Sequence, residues 1–166
     1  MPTESEIVKH LYDGTLTLED GTTPTPLQYA LAFDVGDFKL SGLSADQTEI
    51  KVYKCRGLPK SIRQGASVEP TGSFSAYMTG VSDATNTTLI DFLLAQGSFA
   101  AVASTSAAKG DVMTYKATWT IEGTDLGDAS DHVIVLNDVA ITLDLGEGEP
   151  NTVSMSFTVY GSITMT

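Results

Sequence analysis

Three aspartates, Asp125, Asp128 and Asp131, stand close together in Thr-Asp-Leu-Gly-Asp-Ala-Ser-Asp and offer the hard oxygen donors that a calcium ion takes. Their spacing departs from the EF-hand loop, which alternates its ligands and ends in a bidentate glutamate, so the segment reads as a solvated loop. Glu147 and Glu149 are the residue type of a glycosidase pair, yet two glutamates in one turn are not placed on opposite flanks of a sugar bond. His10 and His132 are the only histidines, and no Cys/His cluster at ligand spacing accompanies them to hold zinc. Cys55 is the single cysteine, so no intramolecular disulfide forms. It lies between Lys54 and Arg56 in an alternating pattern and reads as a buried or half-buried thiol, with no His or second Cys nearby in sequence. Asn86-Thr87-Thr88 has the form of a glycosylation acceptor without a secretory signal ahead of it. No Gly-x-Ser-x-Gly, phosphate-cradling glycine loop or His-Glu-x-x-His occurs. Catalysis, cofactor binding and metal binding are therefore left without candidate residues.

Charge distribution is more informative. The fifty residues Ala117 to Thr166 contain eight acids and no Lys or Arg, whereas Lys51, Lys54, Arg56, Lys60 and Arg63 concentrate five of the nine basic residues in one stretch. Such sorting into a positive segment and a negative end, without a catalytic motif, points to assembly. The net charge of −12 disfavours nonspecific attachment to nucleic acid phosphates and to anionic membrane surfaces. The acidic start Met1-Pro2-Thr3-Glu4-Ser5-Glu6 lacks the basic opening and apolar run of a signal peptide, and no apolar stretch approaches membrane-spanning length. Synthesis in a bacterial cytoplasm, with no membrane partner, is the expectation. At 166 residues, 42% of them hydrophobic, the chain can bury a core without staples, and one domain over 1–166 is expected.

Strands must position these residues. Period-two alternation puts Met113, Tyr115, Ala117, Trp119 and Ile121 on one face and Thr114, Lys116, Thr118 and Thr120 on the other. Val133, Val135, Asn137, Val139, Ile141 and Leu143 alternate similarly, with Ile134 and Leu136 making the start apolar on both faces. Val153, Met155, Phe157, Val159 and Ile163 oppose Thr152, Ser154, Ser156, Thr158 and Ser162. Gly148 and Pro150 suit the turn between these last two strands, giving a C-terminal antiparallel hairpin. Earlier strands are expected at Ile7–Leu11, Thr15–Glu19, Leu27–Phe33, Phe38–Leu40, Glu49–Cys55 and Val68–Met78, with a further one at Phe99–Ser104. Asp13-Gly14 and Asp20-Gly21 mark tight hairpin turns. Thr88, three residues before Asp91, caps a short helix that Gly97 stops. Leu89, Phe92 and Leu93 would face a sheet, leaving Ile90 and Leu94 to be covered by a loop or another subunit. Arg56 to Ser67 reads as a long loop, and a loop of that length is more often functional than accidental. The fold class that results is mainly β: an antiparallel β-sandwich or barrel-like domain with one short packed α-helix and a long central loop.

Trp119-Thr120-Ile121-Glu122-Gly123, then Val133–Leu145 with Gly146-Glu147-Gly148-Glu149-Pro150, then Phe157-Thr158-Val159-Tyr160-Gly161-Ser162-Ile163, resemble the tail tube protein of long-tailed, siphovirus-like bacteriophages. The resemblance is specific over Val112 to Thr166 and extends in layout over most of the chain. It implies a β-sandwich subunit of the virion tail that closes into hexameric rings, which stack into a hollow conduit for DNA ejection. It also implies an inner barrel built by strands of all six subunits, and tape-measure, tail terminator and distal tail proteins as partners. Arg56–Ser67 takes the place of that family's stacking loop.

The residues fit that use in their own right. Thr114, Thr118 and Thr120 on one strand, and Ser154, Ser156 and Thr158 on another, are polar and nearly uncharged beside Lys116. Such faces suit a lumen through which DNA passes without being gripped, although strand propensity alone also explains Thr and Ser. Lys51, Lys54, Arg56, Lys60 and Arg63 form the expected ring-stacking loop, and Asp125, Asp128, Asp131, Glu147 and Glu149 the acidic contact or pore-rim loops. One rival reading is a tube subunit of a contractile tail or type VI-like secretion system. Another is a carbohydrate-binding β-sandwich, which calls for exposed aromatic platforms, whereas Trp119 falls on the apolar face with Tyr115 and Ile121. Tyr12, Tyr29, Tyr53, Tyr77 or Tyr160 would then have to serve.

Overall fold

In chain order the elements are β1 (Gly14–Glu19), β2 (Gln28–Leu31), β3 (Lys39–Ser41), β4 (Thr48–Cys55), β5 (Leu58–Ser67), β6 (Thr71–Tyr77), α1 (Leu89–Leu94), β7 (Tyr115–Ile121), β8 (His132–Gly146), β9 (Thr152–Val159) and β10 (Ile163–Met165). The computed structural model describes residues 14–31, 38–82, 85–106, 110–121 and 129–166; the strand expected at Ile7–Leu11, together with Asp125 and Asp128, lies outside them. Alternation places the strands where it is strongest. β7 buries Tyr115, Ala117, Trp119 and Ile121, and β9 buries Val153, Met155, Phe157 and Val159. All pairings are antiparallel, in the order β2-β1-β7-β8-β9-β6-β3, with β10 added to β8. The expected C-terminal hairpin is β8–β9, in register from Val139↔Val159 to Gly146↔Thr152.

This sheet curls over on itself. In a flat sheet β7 and β3, four strand spacings apart, would be separated by roughly 19 Å. Yet Phe38, next to β3, has its ring centroid 4.3 Å from that of Trp119 in β7, and 5.7 Å from Phe157 in β9. Two walls thus close around one aromatic core, β2-β1-β7 with the first half of β8 against the second half of β8 with β9-β6-β3, as in a sandwich or barrel. Gly72 permits the closure, since a Cβ there would stand 2.2 Å from the Lys39 carbonyl and from the Phe157 ring.

β8 changes walls at a bulge. Asp138 takes a left-handed φ of 51°, and β7 and β8 slip register between Tyr115 and Ala117. Before the bulge Ile134 and Leu136 face the core; after it Val139, Ile141 and Leu143 do. The expectation that Val133, Val135 and Asn137 share a face with Val139 is corrected by this extra residue, which shifts the alternation by one. The Thr105 hydroxyl donates to Asp138 Oδ1 at 3.1 Å, and the Tyr160 N–H donates to its carbonyl at 3.1 Å.

α1 begins as its sequence dictates, with the Thr88 hydroxyl accepting from the Asp91 N–H at 3.1 Å. It ends earlier than Gly97: Ala95 adopts φ 51°, and the Gln96 N–H closes onto the Asp91 carbonyl at 3.0 Å. Leu89, Ile90 and Phe92 are buried, so Ile90 needs no outside cover, whereas Leu94 is 54% exposed. The Tyr115 hydroxyl ties the helix to β7, donating to the Leu93 and Phe92 carbonyls at 2.9 and 3.2 Å. Burial, with the charge of Asp20 behind it, pushes this phenol up to about 12. Asp20-Gly21 is not a two-residue hairpin turn, because β1 and β2 pair from Glu19↔Gln28 and are joined through residues 20–27. No strand forms at Phe99–Ser104 either. A single 3-10 turn, Gly97–Phe99, leads into a segment whose Ala103 N–H is bound by the Asp20 carboxylate at 2.9 Å.

Candidate functional site

The expected loop Arg56–Ser67 is a correction: it is a strand. β5 pairs with β4 across a two-residue turn, Arg56-Gly57, with φ of 49° and 84°, the two left-handed residues a tight hairpin needs. Pro59 lies opposite Lys54, where a register shift absorbs its missing N–H. Among the described residues these two strands pair only with each other, so the hairpin is an arm. Its faces differ. Val52 is opposite Ile62 and shares a face with Ile50, whereas Lys51 is opposite Arg63 on the other side, beside Glu49. Ile50, Leu58 and Ile62 are each about 70% exposed or more, at 75%, 73% and 69%. Cys55 is exposed rather than buried, for the same reason: an arm has no core side. Two cations directly across a strand pair repel, an arrangement that an acidic partner relieves.

The acidic turn occupies the opposite end of the wall. Lys39↔Ser73 and Ser41↔Thr71 fix the arm at the Thr71 end of β6, where Ser41 leaves the sheet and Thr71 re-enters it. Tyr77↔Thr152 and Gly146↔Thr152 put exposed Glu147 and Glu149 at the Tyr77 end, where the Met78 N–H donates to the Asn151 carbonyl at 3.0 Å. The length of β6 separates them, roughly 20 Å at strand rise. Lys51, Lys54, Arg56, Lys60 and Arg63 are thus gathered on one exposed arm, and Glu147 and Glu149 lie remote from it. Asp131 is exposed at the start of β8, while Asp125 and Asp128 lie outside the described residues.

The hydroxyl residues do not form one face. Ser154, Ser156 and Thr158 line the outer side of one wall, and Thr118 and Thr120 that of the other, so one subunit cannot turn both rows to one lumen. Thr114 belongs to neither row. It is 2% exposed, its N–H donates to Ser104 Oγ at 3.0 Å, and its hydroxyl donates to Ser106 Oγ at 2.7 Å. The first row is part of a wider surface, because Ser73↔Ser156↔Thr142 and Ser75↔Ser154↔Asp144 continue it across three strands. Thr71, Ser73 and Ser75 were missed in sequence, although the alternation that turns Phe74 and Ala76 inward already turns them outward. Among the described residues no group of three or more His, Cys, Asp or Glu is gathered as a metal site requires. No described helix is long and apolar enough to cross a membrane.

Solved structures share this architecture from end to end. A chain in the structure of the sheath/tube terminator of an extracellular contractile injection system, PVC, in the extended state matches with a TM-score of 0.60 at 12% identity, covering 98% of this chain and 99% of that one. A chain in the PVC sheath–tube complex in the extended state gives 0.59 at 11% identity, covering 97% of this chain and 93% of that one. The likeness is a tail-tube-like fold. A chain in the anti-feeding prophage (AFP) baseplate, 6-fold symmetrised, gives 0.53 at 9% identity, covering 100% of this chain and 97% of that one. No protein-family model matches the chain, and no curated protein gives a significant sequence match. At these identities the tail-tube-like fold is what is shared.

Proposed function

We propose that this chain is a non-catalytic structural subunit that assembles with copies of itself into rings stacked as a hollow tube of a phage-tail-like particle. The observation that supports it is the placement of a basic arm and an acidic turn at opposite ends of one wall. A surface whose complement lies at the far end of the same molecule makes heterologous contacts, and these propagate into open stacks. Rings of six, with the neutral wall of Ser154, Ser156 and Thr158 turned to the lumen, follow the sequence resemblance. The 6-fold symmetrised AFP baseplate lends the ring size further support. DNA is the passenger such a wall suits, for it offers few charges to grip phosphates. Tape-measure, terminator and distal tail proteins complete the set of partners.

Two of the fold neighbours come from a contractile injection system, which favours a tube that works inside a sheath. The resemblance of Val112 to Thr166 to long-tailed phages favours a bare tube, and co-purification with a sheath protein separates the two. Purified protein at high concentration should give hollow filaments of constant width in negative-stain electron microscopy. Persistent monomers across concentration and ionic strength would overturn the reading. The double variant Lys60→Glu/Arg63→Glu should keep the wild-type melting curve yet fail to polymerise, whereas normal tubes would remove the arm from the contact.

A further inference from the structure

Beside the root of the arm lies an open groove of about 760 Å³, lined by Leu43, Gln47, Pro70, Ile163 and Met165 among others. Its lining is mainly apolar, and Leu43 and Met165 are 45% and 55% exposed. Gln47 adds a polar feature: its Oε1 is buried with no hydrogen-bond partner, while its N–H and carbonyl are held by Ser44 Oγ at 3.0 Å and the Val68 N–H at 2.9 Å. An unmade hydrogen bond on a buried oxygen is costly, and an incoming donor would remove that cost. A second cleft, of about 280 Å³, shares Ser44 with the groove and runs on to Ile50, Ile62 and Arg63 of the arm, with Asp46 as its one carboxylate. Positive charge from the arm therefore stands next to an apolar trough.

The opposite end of the molecule has the matching features. Leu145 is 56% exposed and Tyr77 40%, and both flank the turn that bears Glu147 and Glu149. We infer that the groove is a socket for the β8–β9 turn of a second copy of this chain. Leu145 enters the trough beside Leu43 and Met165, a donor of the turn meets Gln47, and Glu147 and Glu149 face Arg63 and Lys51. Apolar fit supplies the affinity, and the charges fix which end enters. Because socket and plug lie at the two ends of one wall, each bound copy presents a free socket, and growth continues in one direction. This inference rests on the tube reading and adds the site through which rings join.

Its test uses tubes of the full chain. Leu43→Asp/Met165→Asp alters two exposed positions and should leave the thermal melt unchanged while raising the critical concentration for tubes at least about tenfold. Tubes at the wild-type concentration would overturn the socket. In a Cys55→Ser background, Leu43→Cys combined with Leu145→Cys should give a ladder of covalent multimers on oxidation of assembled tubes, absent from either single variant. Tubes that form normally but yield no ladder reject the socket and leave the tube reading standing. A wild-type chain that never forms tubes rejects the tube reading, and the socket falls with it.

Discussion

Asp20 shows at the level of one residue how a surface-type side chain becomes structural. It is 3% exposed, and it accepts from the N–H groups of Leu27 at 2.7 Å, Ala103 at 2.9 Å and Thr22 at 3.1 Å, and from the Thr22 hydroxyl. Burial works against its charge, but the Thr22 hydroxyl and the N–H groups of Ala103, Thr22 and Leu27 outweigh it and hold the carboxyl below the ordinary carboxylate range. The folded form thus favours the ion more than the unfolded chain does. The stability this contributes is present above the unfolded pKa of about 4 and is lost as pH falls through the lower folded value. Asp20→Asn should cost about 2–3 kcal/mol in urea unfolding at pH 7, because an amide turns two donors toward groups that are themselves donors. The variant's stability should also depend less steeply on pH in that acidic window than the wild type's, and an unchanged slope would show that Asp20 contributes nothing to it. In sequence Asp20-Gly21 carried a turn signal; Thr22 and Leu27 supply partners within that turn, and only the tertiary structure brings back Ala103 to add the remaining one.

At the scale of elements, legibility followed the presence of a core. β7 and β9 were readable because each has one buried face, and β4 was read as a strand at Glu49–Cys55 from its alternation alone, whereas β5 also lacks a buried face and Pro59 and Gly65 break its pattern. The start of α1 was readable from Thr88 and Asp91; its end was not, because Ala95 takes the left-handed cap usually given to glycine. A helix of six residues has too few internal hydrogen bonds to persist alone, so its cap and the Tyr115 hydroxyl weigh heavily. Thr88→Ala should therefore cost about 1 kcal/mol, with faster amide exchange over Leu89–Leu94 than over β7. Exchange that rises equally in both would place the loss in global unfolding instead.

At the scale of the whole molecule, curling of the sheet puts the two hydroxyl rows on different walls, so the proposed tube could turn only one of them to its lumen. The wall of Ser73, Ser156 and Thr142 is broad and has Asp144 and Lys39 as its charged members, whereas the row of Thr118 and Thr120 lies beside the Lys116–Glu19 ion pair of 2.7 Å. If the proposed tube forms, the first wall is the one it would turn to its lumen. In a Cys55→Ser background, Ser156→Cys should react with a bulky maleimide in dispersed subunits and be protected in tubes, with Thr118→Cys retaining more of its reactivity. Equal reactivity of Ser156→Cys in both states would remove that wall from the lumen.

The sequence by itself determined the β class, the inward faces of β7 and β9, the cap of α1 and the separation of basic from acidic segments, for these depend on alternation, local hydrogen bonding and composition. Only the tertiary structure decided that the basic segment is an arm, that Glu147 and Glu149 lie at the far end from it, and that the two Thr/Ser rows face apart. Each of these depends on where the chain turns back: the Arg56-Gly57 hairpin, the bulge at Asp138 and the closure of Phe38 onto Trp119. Periodicity reports which side of a strand is buried, but not which way that strand's wall points once the sheet has curled.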